Sequence, residues 1–287
     1  MLQRWLVAIV GLPALLAVLL LCPSWATMLL VCAISGAAAY ELLYVAGKNV
    51  NKPVYALTIA CAVLQVWTVY CNRRIFNTEL ALPYLEESRS AALWCLPVFL
   101  LTALFFLAVI TYGKPNAVPF STVCVALVGG AVFPMMYACL MLLRMHEKFG
   151  RIYVLAPFFV AFAGDSLAMY CGKWFGKKKM APHVSPNKTW AGFYGNICGS
   201  VLGFLLFGFI GSRWLGYVPN YLNLALSGAA ANLFGQLGDL STSLVKREVG
   251  IKDYSHLFLT HGGVLDRFDS TLFIAPVVYY YVSAGII

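Results

Sequence analysis

Charged side chains are scarce in this sequence of 287 residues: only 11% are Asp, Glu, Lys or Arg, whereas 61% are hydrophobic. The mean hydropathy is +0.81. Soluble globular domains are about 45–50% apolar, so the composition excludes an ordinary soluble domain. The nine cysteines include no Cys-x-x-Cys pair and support neither a disulfide framework nor a zinc site. Basic runs interleaved with aromatic residues are also missing, so we expect no nucleic-acid partner.

Apolar runs recur along the whole chain, and we predict an all-α, polytopic integral membrane protein with about nine transmembrane helices. Most runs reach the about 20 residues that cross about 30 Å of hydrocarbon. No repeat or low-complexity linker interrupts them, so one membrane domain over 1–287 is predicted, with 1–150 mainly structural and 151–287 catalytic. The predicted spans are 5–22, 25–45, 53–71, 91–112, 120–143, 152–173, 190–211, 221–244 and 270–287.

The basic residues divide unevenly between the two sides of these spans. Of the 20 Lys and Arg, 13 lie on the N-terminal side and seven on the other side. Because loops rich in Lys and Arg stay in the cytoplasm, we predict a cytoplasmic N-terminus. The two most basic loops, 174–189 and 245–269, then also face the cytoplasm. The net charge of +9 follows from this rule, and binding of anionic lipid is the alternative explanation.

The aspartates all follow position 160: Asp165, Asp239, Asp253, Asp266 and Asp269. In the predicted topology, Asp165 and Asp239 each lie about two helical turns from the cytoplasmic end of their spans. Asp266 and Asp269 lie just before the last span, on the same side. Charge in or beside a bilayer is costly and indicates a functional site. We therefore predict one polar pocket that opens towards the cytoplasm.

Span 221–244 leads into a helical stretch that combines both signs of charge. Offsets of four and seven place Asp239, Ser243 and Lys246 on one helical face, with Arg247 beside it. Such a carboxylate could hold a divalent metal while the cation binds a phosphate on that metal. An intramembrane ion pair that stabilises helix packing is the alternative.

The last span is preceded by the sequence His261-Gly-Gly-Val-Leu-Asp-Arg-Phe-Asp269. The two glycines, Gly262 and Gly263, let the backbone approach a ligand and adopt positive φ. Asp266 and Asp269 project the same way on a helical turn, and their mutual repulsion favours a divalent cation beside them. Capping of the last helix is the alternative, although it accounts for only one of the two acids.

A third polar stretch, 185–189, comes just before span 190–211. Ser185, Lys188 and Thr189 lie beside a proline turn, where hydroxyls and an ammonium at a helix N-terminus suit a phosphate. An ordinary helix cap is the alternative.

Two further acids have open roles. Glu41, near the end of the second span, could pair with a neighbouring cation or contribute to the site. Asp253 could orient Lys252, or it could be solvated.

The sequence from Ser243 to Asp269 resembles the signature of phosphatidate cytidylyltransferases, also called CDP-diacylglycerol synthases. It reads S-x-V-K-R-x4-K-D-x-S and then H-G-G-V-L-D-R-F-D. The region around Asp165 and the stretch Ser185-Pro-Asn-Lys-Thr-Trp190 are also similar to that family. The resemblance implies transfer of CMP from CTP to phosphatidate in phospholipid biosynthesis, with release of pyrophosphate and a requirement for Mg²⁺.

Roles for individual residues follow from this resemblance and the charge pattern together. The metal candidates are Asp239, Asp266 and Asp269, which would hold one or two divalent cations. The cations expected to screen repulsion between the two substrates are Lys246, Arg247, Lys252 and Arg267. The other substrate-binding candidates are Asp165, Ser185, Lys188, Ser243, His261, Gly262 and Gly263. A monovalent cation and a homodimer also fit, as does a bacterial inner membrane with the site facing the cytoplasm.

A transporter or channel is the competing class, since intramembrane carboxylates also relay ions or protons. That class predicts charges spread across the membrane depth, whereas these charges cluster towards one face and include cations suited to phosphate. A CDP-alcohol phosphotransferase is the second competitor, but the aspartate run of that family, with its Asp-Gly…Ala-Arg core, is missing.

Overall fold

A computed structural model describes residues 11, 13–76, 84–214, 216–255, 257 and 262–287. Over these residues the regular secondary structure is helical apart from one short hairpin, which confirms the all-α class. The helices are α1 (13–20), α2 (Ser24–Ala46), α3 (Lys52–Phe76), α4 (Tyr84–Thr111), α5 (Phe120–Leu127), α6 (Phe133–Arg144), α7 (Gly150–Tyr153), α8 (Ala156–Phe175), α9 (Trp190–Trp214), α10 (Tyr221–Val249) and α11 (Val264–Ser283). A π-helical turn, Val128–Val132, joins α5 to α6.

Six helical stretches within the described ranges are long and apolar enough to cross a membrane. They are Ser24–Ala46, Lys52–Arg74, Leu93–Thr111, Phe120–Arg144, Gly150–Phe175 and Trp190–Arg213. The predicted spans 221–244 and 270–287 overlap α10 and α11, which are not among the six. Residues 5–10 and 12 of the predicted first span lie outside the described residues. The count of nine and the orientation therefore stay predictions.

Two compact units make up the chain: unit 1 comprises 1–145 with 251–267, and unit 2 comprises 146–250 with 268–287. In unit 1, α2, α3 and α4 share a core in which Leu43, Leu100 and Leu104 are fully buried. The π-helical turn brings Gly129 against α2, where a β-carbon would lie 3.4 Å from Cα of Ala39. The prediction of a single membrane domain stays a prediction.

In unit 2, small residues let the helices approach closely, as is typical of helix packing in membranes. A β-carbon built on Gly199 of α9 would lie 2.9 Å from Cβ of Leu167 and 3.0 Å from Cα of Gly164, both on α8. One built on Gly238 of α10 would lie 3.0 Å from the carbonyl oxygen of Asp269 on α11. The backbone of α10 can therefore approach that of α11 beside the acidic residues.

Strands β1 (Lys179–Ala181) and β2 (Ser185–Thr189) form an antiparallel hairpin between α8 and α9. The sequence predicted a proline turn at a helix start here, whereas Ser185 and Lys188 lie in β2. The difference arises because the turn at 182–184 folds β2 back onto β1. Thr189 ends the strand, and its Oγ1 accepts a hydrogen bond from the Gly192 amide at 3.1 Å. Thr189 therefore caps the start of α9, as the capping alternative predicts.

Replacing Gly199 with Ala should lower the stability of the protein. The added methyl group would overlap α8 and force the helices apart, and overpacking of this kind costs about 1–3 kcal/mol. Thermal unfolding of the full chain in detergent measures the effect. Gly11→Ala is the matched control, because a β-carbon on Gly11 meets nothing within 4 Å. Equal unfolding midpoints for the two variants would contradict the packing argument.

Candidate active site

Asp239 of α10, Asp269 of α11 and Lys188 of β2 are here called the acidic centre of unit 2. Nζ of Lys188 lies 2.5 Å from Oδ2 of Asp239, and Oγ of Ser243 lies 3.5 Å from Oδ1 of the same carboxylate. The contact with Ser243 agrees with the helical offset of four between the two residues. The Lys188 and Asp239 side chains are 24% and 33% exposed, so the ion pair is accessible to a ligand.

Asp269 is the buried acid of this centre, with an exposed fraction of 8%. Its Oδ2 accepts a hydrogen bond from Oγ1 of Thr242 at 3.2 Å, and its Oδ1 accepts one from the Ser270 amide at 2.6 Å. Burial, and then the nearby charge of Asp239, raises the pKa of Asp269 to about 7, while Lys246 opposes the rise. Asp269 precedes the predicted span 270–287 and lies outside the six candidate spans. Two carboxylates that repel each other in a partly buried site favour a bound cation.

Asp165 of α8 ends a chain of amide side chains that crosses three helices. Nδ2 of Asn196 donates to Oδ1 of Asp165 at 3.2 Å. Oδ1 of Asn196 accepts from Nδ2 of Asn232 at 2.5 Å, and Oδ1 of Asn232 accepts from Nε2 of Gln236 at 2.6 Å. Asn232 and Gln236 are almost fully buried. Because buried amides are costly unless they are hydrogen-bonded, this chain restricts the orientation of Asp165.

A cavity of about 400 Å³ lies beside these residues, between α8, α9, α10 and the hairpin. Its volume falls within the range of about 300–1,000 Å³ that is typical of small-molecule sites. Lys188 lines the cavity and also contacts Asp239, so a ligand in the cavity would lie next to the acidic centre. The polar lining consists of Asp165, Lys173, Asn187, Lys188, Thr189, Asn196 and Gln236.

The other cations predicted for unit 2 lie at the end of α10. Lys246 is buried, with an exposed fraction of 8%, whereas Arg247 is exposed. Nε of Arg247 donates to the carbonyl oxygen of Val184 at 3.2 Å, which links the end of α10 to the turn of the hairpin. Ser185, which follows this turn, is partly buried. Positive charge therefore lies both on the hairpin, at Lys188, and on α10, the helix that carries Asp239.

A second group of the predicted residues lies in unit 1, around the start of α11. Oδ2 of Asp266 accepts hydrogen bonds from the amides of Gly263 at 2.9 Å and Tyr254 at 2.8 Å. Gly262 has a φ of +81°, which the sequence analysis predicted for one of the glycines. Asp266 therefore caps the start of α11 through its Oδ2 atom, as the capping alternative predicts for one of the two acids. Its role as a metal ligand stays a prediction.

The remaining predicted residues of unit 1 are in varied surroundings. Lys252, Asp253 and Arg267 are exposed. Glu41 is buried in α2 and contacts the first turn of α11. His261 lies outside the described residues.

The carboxylates of unit 2 fit a magnesium ion that is shared with a substrate. In the described part of the chain, no three His, Cys, Asp or Glu side chains come close enough to hold a metal by themselves. Mg²⁺ usually binds through one or two carboxylates together with water and substrate phosphates. Asp239 and Asp269 supply such a pair, so the metal would need phosphate oxygens to complete its coordination.

Comparison with known proteins agrees with the signature. A model described as the cytidylyltransferase family matches residues 2–284. The chain belongs to this family. The phosphatidate cytidylyltransferase of Bacillus subtilis (strain 168) is 38% identical over 138 residues, which are 48% of this chain and 50% of that protein.

Two further relatives carry the same name. The protein of Rickettsia felis (strain ATCC VR-1525 / URRWXCal2) is 34% identical over 163 residues, 56% of this chain and 71% of that protein. The protein of Haemophilus influenzae (strain ATCC 51907 / DSM 11121 / KW20 / Rd) is 39% identical over 140 residues, 47% of this chain and 48% of that protein. The chain thus spans about half the length of the Bacillus and Haemophilus relatives. The resemblance that the sequence indicated is confirmed at the level of the family.

The amide chain from Asn196 to Gln236 is not among the residues predicted from the sequence. A signal was present, because Asn232 and Gln236 are one helical turn apart in α10 and Asn196 interrupts the apolar helix α9. Polar residues within apolar helices usually face one another.

Replacing Asn232 with Ala should destabilise the protein and disturb Asp165. The change removes the donor to Oδ1 of Asn196 and an acceptor for Nε2 of Gln236. A buried polar group left unsatisfied in this way costs about 1–3 kcal/mol. Thermal unfolding in detergent measures the loss. Asn116→Ala, at an exposed turn, is the control and should unfold like the wild type. If both variants match the wild type, the amide chain does not contribute to stability.

Proposed function

We propose that the protein transfers CMP from CTP to phosphatidate and releases pyrophosphate, forming CDP-diacylglycerol in phospholipid biosynthesis. The observation that carries the proposal is the accessible pair of Lys188 and Asp239. This pair lies at the edge of the cavity and beside the buried carboxylate of Asp269. Membership of the cytidylyltransferase family and the names of the relatives support the same reaction.

Asp239 and Asp269 are the residues of unit 2 that would hold Mg²⁺, as one or two ions, and Asp266 is proposed as a further ligand. Bound Mg²⁺ would supply positive charge to the phosphate oxygens of CTP and to the leaving pyrophosphate. The raised pKa of Asp269 fits this role, because a cation beside the carboxylate would favour its ionised form. A monovalent cation also remains part of the proposal.

The basic residues would bring two negatively charged substrates together. Lys188 and Lys246 lie near the carboxylates of unit 2, and Arg247 lies at the hairpin turn. These side chains would contact phosphate oxygens and lower the repulsion between CTP and phosphatidate. Lys252 and Arg267 are proposed for the same task in unit 1. Ser185, Ser243, His261, Gly262 and Gly263 are proposed as further substrate contacts.

The reaction needs no covalent enzyme intermediate. Phosphatidate already carries an anionic phosphate oxygen, which would attack the α-phosphorus of CTP. The bond from that phosphorus to the oxygen bridging it to the β-phosphorus would break, and pyrophosphate would leave with the bonding electrons. The contribution of the protein is then positioning and stabilisation of charge, which dominate catalysis of phosphoryl transfer.

A bilayer location is part of the proposal. Six apolar helices and bacterial relatives support an integral membrane protein. We propose nine spans, a cytoplasmic N-terminus, an active site facing the cytoplasm of a bacterial inner membrane, and assembly as a homodimer. The cytoplasmic side suits the reaction because CTP is found there.

Purified protein incubated with labelled CTP and phosphatidate tests the reaction directly. We expect label in a lipid-soluble nucleotide when Mg²⁺ is present, and none after a chelator is added. Omission of phosphatidate is the control for simple hydrolysis of CTP. Failure of the folded wild-type protein to label the lipid in the presence of Mg²⁺ would refute the proposed function.

Asp239→Asn should reduce the rate of this reaction by about 100-fold or more. Even outer-shell partners of a bound metal cost about 10–100-fold when they are removed, and Asp239 is proposed as a direct ligand. Initial rates at saturating substrates measure the loss. Glu248→Gln is the matched control, because it also removes one negative charge from α10 but at an exposed position. Comparable rates for the two variants would exclude Asp239 as a metal ligand.

A further inference from the structure

We infer that Glu41 is a positioning residue that caps the first turn of α11 from another helix. The turn that it holds carries Asp266 and Arg267. The inference rests on the proposed function, because these two residues are proposed to bind Mg²⁺ and phosphate.

The carboxylate of Glu41 accepts three hydrogen bonds within unit 1. Its Oε1 accepts from the Val264 amide at 2.9 Å and from Oγ of Ser255 at 2.5 Å. Its Oε2 accepts from the Leu265 amide at 2.8 Å. Glu41 itself is 2% exposed. Both carboxylate oxygens are therefore used in contacts with the segment that leads into α11.

The start of a helix explains why a buried carboxylate is stable at this point. The first amides of a helix have no partner within it, and together they carry a partial positive charge. Here the amide of Gly263 donates to Asp266, while those of Val264 and Leu265 donate to Glu41. Three successive amides are thus bonded by two carboxylates. One of these belongs to α11 itself and the other to α2.

Gly263 supplies independent support for the same contact. A β-carbon built on it would lie 2.6 Å from both Cδ and Oε2 of Glu41, which is closer than real β-carbon contacts come. The carboxylate of Glu41 therefore occupies the space that any other side chain at position 263 would need. The second glycine of the signature is required at this position by Glu41.

The donors around Glu41 distinguish a capping role from the two roles suggested by the sequence, which were pairing with a cation and direct contribution to the site. The donors that contact its carboxylate include two backbone amides and a hydroxyl, as expected for a cap. Tyr254, next to Ser255 in the chain, also donates its amide to Asp266. Glu41 and Asp266 therefore bind the same two stretches, 254–255 and 263–265. Loss of Glu41 should loosen the turn that places Asp266.

Glu41→Gln and its matched control Glu147→Gln test the inference in the full-length protein. Gln keeps the size of Glu but replaces one acceptor oxygen with an NH₂ group, which would face a backbone amide. Glu147 is exposed, so the same chemical change there should have no effect. Hydrogen–deuterium exchange of the peptides covering 262–270, followed by mass spectrometry without substrate or metal, is the first measurement. We expect exchange about tenfold faster or more in Glu41→Gln only.

The kinetics of cytidylyl transfer are the second measurement. In Glu41→Gln we expect kcat to fall about tenfold or more, because small misplacements of reacting groups have large effects on rate. The Mg²⁺ concentration at half-maximal rate should rise. Unchanged exchange would overturn the inference, and so would faster exchange with unchanged kcat and Mg²⁺ requirement. An inactive wild-type protein would instead refute the proposed function, and the exchange comparison distinguishes this case because it needs no turnover.

Gly263→Ala, which leaves Glu41 intact, covers the case in which Glu41→Gln fails to fold, and a double mutant tests the contact directly. Gly263→Ala should lower kcat about tenfold or more on its own, because its methyl group overlaps the carboxylate of Glu41. In a Glu41→Ala background that methyl group enters vacated space, so Gly263→Ala should cause little further loss. Non-additive effects are expected for residues in direct contact. Additive losses would overturn the inference.

Discussion

The ion pair between Lys188 and Asp239 is the interaction on which the centre of unit 2 depends. It joins the hairpin to α10 and supplies a positive charge where two carboxylates would otherwise repel each other. Burial is the main cause of the raised pKa of Asp269, repulsion from Asp239 adds to it, and buried Lys246 opposes only part of the rise. A site with this charge balance would suit the proposed ligands, CTP and Mg²⁺, which bring both phosphate oxygens and a cation.

Close helix packing and polar chemistry depend on each other in both units. In unit 2, the absence of a side chain at Gly238 lets α10 approach α11, and Thr242, one turn further along, reaches Asp269. In unit 1, the absence of a side chain at Gly263 admits the carboxylate of Glu41. Each glycine leaves space for a hydrogen bond that a buried polar group requires. The glycines near the acids are therefore part of how the polar groups are satisfied.

The sequence indicated the helices and the polar signature because both depend on residues that are close together in the chain. The offset of four between Asp239 and Ser243 correctly placed them on one helical face. Periodicity does not show which other element packs against that face. Spacing therefore shows neither the strand that presents Lys188 nor the partner of Glu41. It aligns Asn232 with Gln236 but does not show that Asn196 connects them to Asp165. The amides that Glu41 contacts lie more than 200 residues further along the chain.

This long-range contact changes how the first half of the chain should be interpreted. The first five predicted spans contain few ionisable residues, which predicts a mainly structural role for 1–150. Glu41 is one of them, and it contacts Ser255, Val264 and Leu265, all within or beside the two parts of the signature. A helix start that needs an acceptor from elsewhere cannot be specified by its own sequence alone. The family match over residues 2–284 is consistent with this dependence, since the signature requires a scaffold that delivers Glu41 to it.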